Sequence, residues 1–291
     1  MPSLRDIRRR IASVKNTQQI TNAMKMVSAA KLQRAQDRVM ATRPYAERMG
    51  FVVEHLEARV RPSAHPLLTP RQEGTTLLVL LTSDRGLCGG FNSNVERLAL
   101  EQLRQLRQAG EVDIIVIGKK GRDFLSYRQY TVMEAYIELF LRQVTLEQAR
   151  EITARLLAAY EGEASYRQVL VVYNKFRSAI SQQPTVLRLL PISTLEDAEA
   201  EPEEPFDYLY EPSPAYVLDT LLRKQIEIQL FQVLQESFAG EHGARMTAMD
   251  SATSNASEMI TGLTLTFNRA RQAAITKELI EVVSGADALQ G

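Results

Sequence analysis

The sequence is poor in the residues that build most catalytic and metal centres. Its 291 residues include one cysteine, Cys88, and three histidines, His55, His65 and His242. A single thiol excludes an internal disulfide and a multi-cysteine metal cluster, and it is typical of an intracellular chain. The histidines lie in unrelated sequence contexts, so the pattern supports neither a Cys/His nucleophile nor a metal site.

Long apolar runs are also missing, because no stretch approaches the roughly eighteen residues that predict a membrane-spanning helix. Net charge is zero, but the charges are unevenly placed. Residues 1–43 contain ten Lys or Arg and two acidic residues, whereas residues 196–211 contain eight acidic residues and no basic one. The two regions are therefore expected to face different neighbours. The basic start continues into a helical pattern without a small-residue cleavage site, so we interpret it as mature protein.

The dominant pattern is one long helix over the last quarter of the chain. Ser213, between Pro212 and Pro214, is a predicted N-cap, and no proline follows Pro214. Apolar residues then recur at helical spacing, at Val217, Leu221, Ile228, Phe231, Ala252, Ala256, Met259, Leu263, Phe267, Ala270, Ile275, Leu279 and Val282. Some seventy residues would reach roughly 100 Å, so this helix needs partners outside a compact domain. Gly240 and Gly243 leave open a turn between two shorter helices.

A second long helix is predicted at the start of the chain. Ser3 is its expected N-cap, with Asp6 completing a capping box, and apolar positions continue to Leu56 with a kink expected at Pro44. Two apolar stripes of this length predict an antiparallel pair, a two-stranded coiled coil. The expected regions are an N-terminal shaft helix over 1–60, a middle domain over 61–212 and a C-terminal shaft helix over 213–291.

In the middle region, predicted strands and helices alternate as they do in a parallel, Rossmann-like α/β sheet. The predicted strands are 75–82, 112–117, 168–173 and 186–190, and the predicted helices are 92–109 and 145–161. The stretch 127–142 is ambiguous, and the acidic, proline-rich stretch 196–214 is interpreted as an exposed connector. The fold class predicted is therefore α/β, with an α/β domain inserted between two long helices that form an antiparallel coiled coil.

Two glycine-containing loops are candidate phosphate sites. The loop Ser83–Gly90 lies between a strand and a helix, where nucleotide-binding folds place phosphates. It lacks the P-loop ending and the dinucleotide spacing, so we interpret it as a tightly packed turn in which Asp84 forms an ion pair or caps the turn. The segment Gly118–Gly121 is interpreted as a solvated turn, with an anion cradle as the alternative. We find no catalytic constellation.

Several segments resemble the γ-subunit family of F-type ATP synthases, the central stalk of the F1 sector. They are RDIR at 5–8, IASVKNTQQIT at 11–21, AMKMV at 23–27, TSDRGLCGG at 82–90, DYLYEP at 207–212, ARM with AM at 244–249, and NRARQA with ITKEL at 268–279. The resemblance covers both ends of the chain and most landmarks between them. Gly243, the charged Asp287 and the segment 127–142 depart from the family pattern.

The resemblance implies a rotary central stalk, an antiparallel coiled coil that turns inside a ring of three α and three β subunits as protons cross the membrane sector. The implied partners also include the ε subunit and the membrane c-ring. In that family the ATP chemistry belongs to β, so the chain is expected to be a non-catalytic subunit with no cofactor, no metal site and no direct small-molecule substrate. The expected location is peripheral, on the cytoplasmic side of a bacterial inner membrane, since a transit peptide and the chloroplast-type cysteine pair are both missing.

The resemblance also implies contacts with β. The matching positions are Met24, Lys25, Arg245, Arg271, Gln272 and Thr276. In the family, Met24, Lys25 and Arg245 match the zone near the acidic lever of β, and the other three match polar contacts higher in the ring. Met24 is equally consistent with packing inside the coiled coil.

Two other classes of function remain open. A nucleotide-binding enzyme with a coiled-coil appendage would bind ATP or a dinucleotide through the loop Gly86–Gly90. A nucleic-acid adaptor would bind through Arg8, Arg9 and Arg10 with a salt-sensitive affinity. The N-terminal helix has few aromatic residues and a continuous apolar seam, which favours helix packing beside an acidic protein surface over nucleic-acid binding.

Overall fold

The computed structural model describes residues 3–57, 65–139, 143–162, 166–192, 211 and 213–290, and it omits the side chains of 42, 43, 45–47, 54–57, 214 and 285–290. The elements in chain order are α1 (Leu4–Glu57), β1 (Thr76–Leu81), α2 (Phe91–Ala109), β2 (Val112–Ile117), α3 (Lys119–Tyr127), β3 (Glu134–Tyr136), α4 (Leu146–Glu161), β4 (Gln168–Phe176), β5 (Gln182–Leu190) and α5 (Pro214–Gln290). The predicted class is confirmed, because a mixed α/β region separates two long helices.

Backbone contacts divide the chain into two compact units. Unit 1 comprises Met1–Ser28 and Met246–Gly291, and unit 2 comprises Ala29–Arg245. Both long helices contribute residues to each unit. Among the described helices, none combines the length and the apolar character needed to cross a bilayer.

Unit 1 is an antiparallel helix pair, as predicted. Side-chain contacts of described residues join α1 to α5 in this unit. Arg8 lies 5.5 Å from the Phe267 ring centroid, and hydrogen bonds or ion pairs join Gln18 to Ser257 at 2.6 Å, Thr21 to Thr253 at 2.8 Å and Lys25 to Asp250 at 2.5 Å. Later residues of α1 meet earlier residues of α5, which fixes the antiparallel direction. Large buried side chains of this pair include Ile7 and Met249. The polar contacts set the register in which the two helices pair.

The predicted helix starts are confirmed. The backbone N–H of Asp6 donates to Ser3 Oγ at 3.2 Å, and the backbone N–H of Tyr216 donates to Ser213 Oγ at 3.3 Å. Helix α5 continues through Gly240 and Gly243, so the alternative of two shorter helices is wrong. The expected region boundaries at 60/61 and 212/213, the segment 207–212 and most of the connector 196–214 lie outside the described residues, as does the side chain of Asp287.

Unit 2 is built on a five-stranded sheet of order β3-β2-β1-β4-β5. Strands β1, β2, β3 and β4 are parallel, whereas β5 is antiparallel to β4. The expectation of a wholly parallel sheet is therefore corrected at β5. Only residues 177–181 separate β4 from β5, which is long enough for a hairpin but too short for a parallel crossover.

The sequence missed helix α3 and left β3 undefined. Helix α3 begins inside the segment expected to be a solvated turn, after Gly118 at φ 103°. A Cβ at Gly118 would lie 2.2 Å from the Thr82 carbonyl oxygen, so this helix start requires glycine. Strand β3 lies within the ambiguous stretch 127–142, of which residues 140–142 are outside the described part of the chain.

Candidate partner-binding surfaces

Unit 1 exposes apolar side chains that a self-contained domain would bury. They are Ile20, Met26 and Val27 on α1, and Met259, Leu265, Ile275, Leu279, Ile280, Val282 and Val283 on α5, each at least 49% exposed. Single exposed apolar residues are ordinary, but this many on one helix pair indicates a protein interaction surface. We refer to these residues as the apolar surface of unit 1.

Five of the six predicted contact residues lie in unit 1. Met24 and Lys25 are half-buried, and Lys25 Nζ pairs with Asp250 Oδ1. Arg271, Gln272 and Thr276 are exposed on α5, where the four-residue spacing of the last two places them on one face. The structure therefore places all three of these polar side chains beside the apolar surface of unit 1 along the same helix.

Arg245, the sixth, lies in unit 2 and its side chain is only 9% exposed. Its guanidinium donates to Glu241 Oε1 at 2.6 Å, to the Gly86 carbonyl at 3.2 Å and to the Arg85 carbonyl at 3.4 Å. The side chain thus ties α5 to the loop Ser83–Gly90. Sequence reasoning gave no sign of this intramolecular role.

The loop Ser83–Gly90 is held by side chains at both ends. Asn92 Oδ1 accepts a hydrogen bond from the Ser83 backbone N–H at 2.9 Å. Asp84 Oδ1 accepts from the backbone N–H groups of Lys119 and Glu138, each at 2.9 Å. Asp84 therefore joins this loop to the start of α3 and to Glu138, whereas the sequence predicted an ion pair or a cap of its own turn. The loop is a packed strand-to-helix turn.

Leu87, at the tip of this loop, is a candidate contact that the sequence did not single out. Its backbone has φ 63°, and its side chain is 64% exposed. A leucine in the left-handed region stores backbone strain, and such strain persists only where surrounding contacts impose it. Arg245 and Asp84 supply those contacts, so the loop presents an apolar side chain to solvent. Its position inside the family-like segment 82–90 was the only signal.

The titratable groups around Arg245 have shifted pKa values. Burial, together with the nearby charges of Arg245 and Lys31, lowers the pKa of His242 to about 3. Burial raises the pKa of Glu241, while Arg245 opposes that shift. Burial also raises the pKa of the Cys88 thiol. His242 is therefore neutral at pH 7, and Cys88 is protonated, which removes the thiolate that a nucleophile would need.

Helix α5 packs closely against the end of the sheet where nucleotide-binding α/β folds hold their ligand. A Cβ at Gly240 would lie 3.2 Å from the Phe91 ring and 3.3 Å from Gln182 Cγ, and one at Gly243 would lie 3.0 Å from the Ala179 carbonyl oxygen. Strand order reverses between β1 and β4, and ligands usually bind at that point, beyond the carboxyl ends of the strands. In this chain α5 occupies that position. Its close approach to Ala179 explains why residue 243 is a glycine.

The whole chain matches known proteins. The family model described as ATP synthase matches residues 3–289. The chain is 47% identical over 292 residues to the ATP synthase gamma chain of Trichlorobacter lovleyi, with all of both chains covered. This chain belongs to the ATP synthase gamma chain family. The resemblance seen in its sequence segments is thereby confirmed.

Solved structures of mitochondrial ATP synthases contain chains with a similar fold. A chain in the cryo-EM structure of the central stalk and c-ring of Tetrahymena thermophila mitochondrial ATP synthase is 27% identical, with a TM-score of 0.61 over 80% of this chain and 99% of that one. A chain in the Euglena gracilis mitochondrial ATP synthase, solved with OSCP, F1 and c-ring in rotational state 3, is 19% identical, with a TM-score of 0.65 over 98% of this chain and 94% of that one. The second likeness concerns the fold alone.

Proposed function

We propose that this chain is the rotary central-stalk subunit of an F-type ATP synthase, coupling proton flow through the membrane sector to ATP synthesis on the β subunits and regulating ATPase activity. The observation that carries the proposal is the apolar surface of unit 1, on a helix pair of an ATP synthase gamma chain. A rotor acts by offering different contacts to each surrounding subunit, and differential contacts shift a site between conformations. No nucleophile is needed for that task.

The chain acts as a non-catalytic subunit in this proposal, with ATP chemistry on β. Its partners are three α and three β subunits around the helix pair, an ε subunit against the α/β region, and the c-ring. The location is peripheral, on the cytoplasmic side of a bacterial inner membrane. Residues 1–60 and 213–291 form the shaft and residues 61–212 form the inserted domain.

The six family-matched residues divide into two kinds of contact. Met24, Lys25, Arg271, Gln272 and Thr276 touch β directly; their partial or full exposure supports this role. Arg245 acts near the acidic lever of β through the loop that it holds. Its hydrogen bonds to the Arg85 and Gly86 carbonyls keep Leu87 in position to contact that lever.

Breaking α1 inside unit 1 tests the rotary role. Val27 is 57% exposed, so Val27→Pro removes little packing, but proline in a helix interior costs about 3 kcal/mol and deletes a backbone hydrogen bond. In inverted membrane vesicles carrying the assembled complex, we expect ATP-driven proton pumping to fall severalfold relative to the ATPase rate.

Val27→Leu, which preserves both the helix and an apolar side chain at this position, is the matched control and should leave both rates coupled. The assembled complex is first quantified by native mass spectrometry, where one copy of this chain should accompany three pairs of larger subunits. Normal coupling in an assembled Val27→Pro complex would count against the shaft role.

A further inference from the structure

Two loops at the same end of the sheet of unit 2 each expose one large apolar side chain. Leu87, in the loop Ser83–Gly90, is 64% exposed, and Ile180, in the hairpin 177–181 between β4 and β5, is 81% exposed. The loops follow the carboxyl ends of β1 and β4, which are neighbouring parallel strands. They therefore leave the sheet side by side and in the same direction.

One turn of helix α5 anchors both loops. Arg245 donates to the Arg85 and Gly86 carbonyls of the first loop. Two residues earlier, a Cβ at Gly243 would lie 3.0 Å from the Ala179 carbonyl oxygen, so α5 touches the backbone of the hairpin directly. Because Gly243 and Arg245 lie within one helical turn, both loops belong to one region of the surface of unit 2.

Hydrogen bonds within the hairpin fix the position of Ile180. Backbone hydrogen bonds of 3.1–3.2 Å join residues 177 and 178 to residue 181. Gln182 Nε2 also donates to the Ser178 carbonyl at 3.1 Å. Since both loops are held in place by contacts within unit 2, a partner that contacts their apolar side chains loses little affinity to the ordering of either loop.

An exposed arginine of each loop accompanies its apolar side chain. Arg85 and Arg177 form no ion pair with a residue in the described part of the chain. The Arg177 guanidinium donates to the neutral amide oxygen of Gln183, from Nε and Nη2 at 3.4 Å each. The hydrogen bonds of residue 85 are made by its backbone carbonyl, which leaves its guanidinium exposed.

Carboxylates on the elements that pack against these loops have other partners. Glu241 pairs with Arg245 at 2.6 Å, and Glu236 is hydrogen-bonded to Tyr173. Asp84 accepts from two backbone N–H groups outside its loop. The two exposed arginines therefore place positive charge beside the two apolar side chains.

We propose that Arg85, Leu87, Arg177 and Ile180 form one docking surface for an acidic segment of a partner protein that also carries apolar side chains. The apolar pair receives the apolar side chains of the partner, and the two guanidinium groups pair with its carboxylates. We refer to these four residues as the two-loop surface.

The charge of the two-loop surface excludes a second copy docked through the same residues, because four guanidinium groups would then face one another. The proposal extends the contact proposed for Leu87 to a second loop. Its assignment to a subunit of the ATP synthase rests on the proposed function, whereas the acidic character of the occupant rests on the two-loop surface itself.

Photocrosslinking in the assembled complex tests the position of the surface. The photoreactive residue p-benzoylphenylalanine replaces Leu87, Ile180 or Tyr127 in turn, and mass spectrometry identifies the crosslinked peptide. Tyr127 is the control, because it is 86% exposed on α3 and lies outside the two-loop surface. We expect positions 87 and 180 to crosslink to the same acid-rich stretch of a surrounding subunit, and position 127 not to reach it.

Peptide binding to the full chain without its partners tests the charge, and it does not depend on assembly. A fluorescein-labelled peptide of repeated Glu-Leu-Leu-Glu units is titrated and followed by anisotropy. Arg85→Gln with Arg177→Gln should weaken its binding about fivefold, because two exposed ion pairs are lost. Arg97→Gln with Arg104→Gln makes the same charge change at exposed positions of α2 and should leave binding unchanged.

The outcomes separate this proposal from the rotary role. If the complex assembles but position 180 gives no crosslink, or crosslinks to a stretch without acidic residues, the two-loop surface is wrong and the rotary role stands. If no complex forms, the rotary role fails and the peptide titration decides alone. The proposal is also overturned if the two double variants respond alike, if the acidic peptide does not saturate, or if a Lys-Leu-Leu-Lys peptide binds more tightly.

Discussion

At the scale of single residues, the chemistry of this chain is concentrated around the buried Arg245. A buried guanidinium is tolerated only when its donors are satisfied and its charge is paired, and Glu241 with two loop carbonyls meets both conditions. Removing the cation leaves a carboxylate that is 4% exposed without its partner.

We therefore expect Arg245→Met to lower the free energy of unfolding by about 3–5 kcal/mol. Urea denaturation of the full chain measures it. The double variant Arg245→Met with Glu241→Gln removes the unpaired charge and should recover a large part of the loss. A single variant as stable as the wild type would show that the pair contributes nothing to folding.

His242 gives the folded state a defined pH dependence. Its pKa is about 3 in the folded chain and about 6.5 in an unfolded one, so the unfolded state binds the extra proton between these values. The contribution is fully present above pH 6.5 and falls by up to about 1.4 kcal/mol per pH unit as the pH drops towards 3. Arg245 and Lys31 are the charged groups that lower its pKa besides burial, and Glu241 pairs with Arg245.

Comparison of wild type with His242→Gln isolates this effect, because Glu241 and the other carboxylates are common to both. Urea unfolding between pH 7 and pH 4.5 should show a shallower loss of stability in the variant. Parallel pH profiles for the two proteins would mean that His242 accepts a proton in the folded state.

At the scale of elements, the sequence predicts the helices that have a long apolar periodicity and the strands that are strongly apolar. Helices α1 and α5 and strands β1 and β2 follow from periodicity and from turn residues. The starts of both helices and both ends of the two strands agree closely with the predicted ones. Helix α3 was missed because its start depends on a tertiary contact between Gly118 and Thr82 that no local pattern encodes. The direction of β5 depends on its pairing with β4, so the apolar pattern of one strand could not reveal it.

Gly243 is the element-scale case in which local propensity and packing disagree. Alanine normally stabilises a helix interior by about 0.5–1 kcal/mol over glycine, but a Cβ here would lie 3.0 Å from the Ala179 carbonyl oxygen and 3.1 Å from its Cα. We expect Gly243→Ala to destabilise unit 2 by roughly 1–3 kcal/mol, because backbone must shift to accommodate the methyl group.

Gly50→Ala is the matched control, since Gly50 also lies in a helix of unit 2 and has no atom within 4 Å of the added Cβ. It should be neutral or stabilising in the same thermal unfolding measurement. If both substitutions stabilise the chain, the close approach of α5 to Ala179 is not required by the fold.

At the scale of the whole molecule, the six candidate contact residues were predicted from the resemblance to a family and not from helical spacing. Helical spacing indicated that α1 and α5 need partners, and the exposed apolar side chains of unit 1 agree with that inference. Spacing alone could not separate Arg245, which is buried, from Arg271, which is exposed. Burial is set by tertiary packing, and the only sequence signal for the strained Leu87 was its place in the family-like segment 82–90.

The apolar surface of unit 1 leads to a prediction for the chain without its partners. Leu279 and Val282 are 60% and 70% exposed, and side chains of this kind contribute about 1.5–3 kcal/mol each when fully buried. The isolated chain should therefore self-associate, and Leu279→Gln with Val282→Gln should weaken that association at least about tenfold. Sedimentation velocity over a concentration series measures it.

Ile180→Gln is the control, because Ile180 is 81% exposed in unit 2 and lies outside the apolar surface of unit 1. If association is driven by any exposed apolar residue, the control and the double variant will sediment alike. If it is driven by the surface that we assign to partner binding, only the double variant will dissociate. The same double variant should then compete poorly with wild type for assembly with α and β subunits, because one surface serves both interactions.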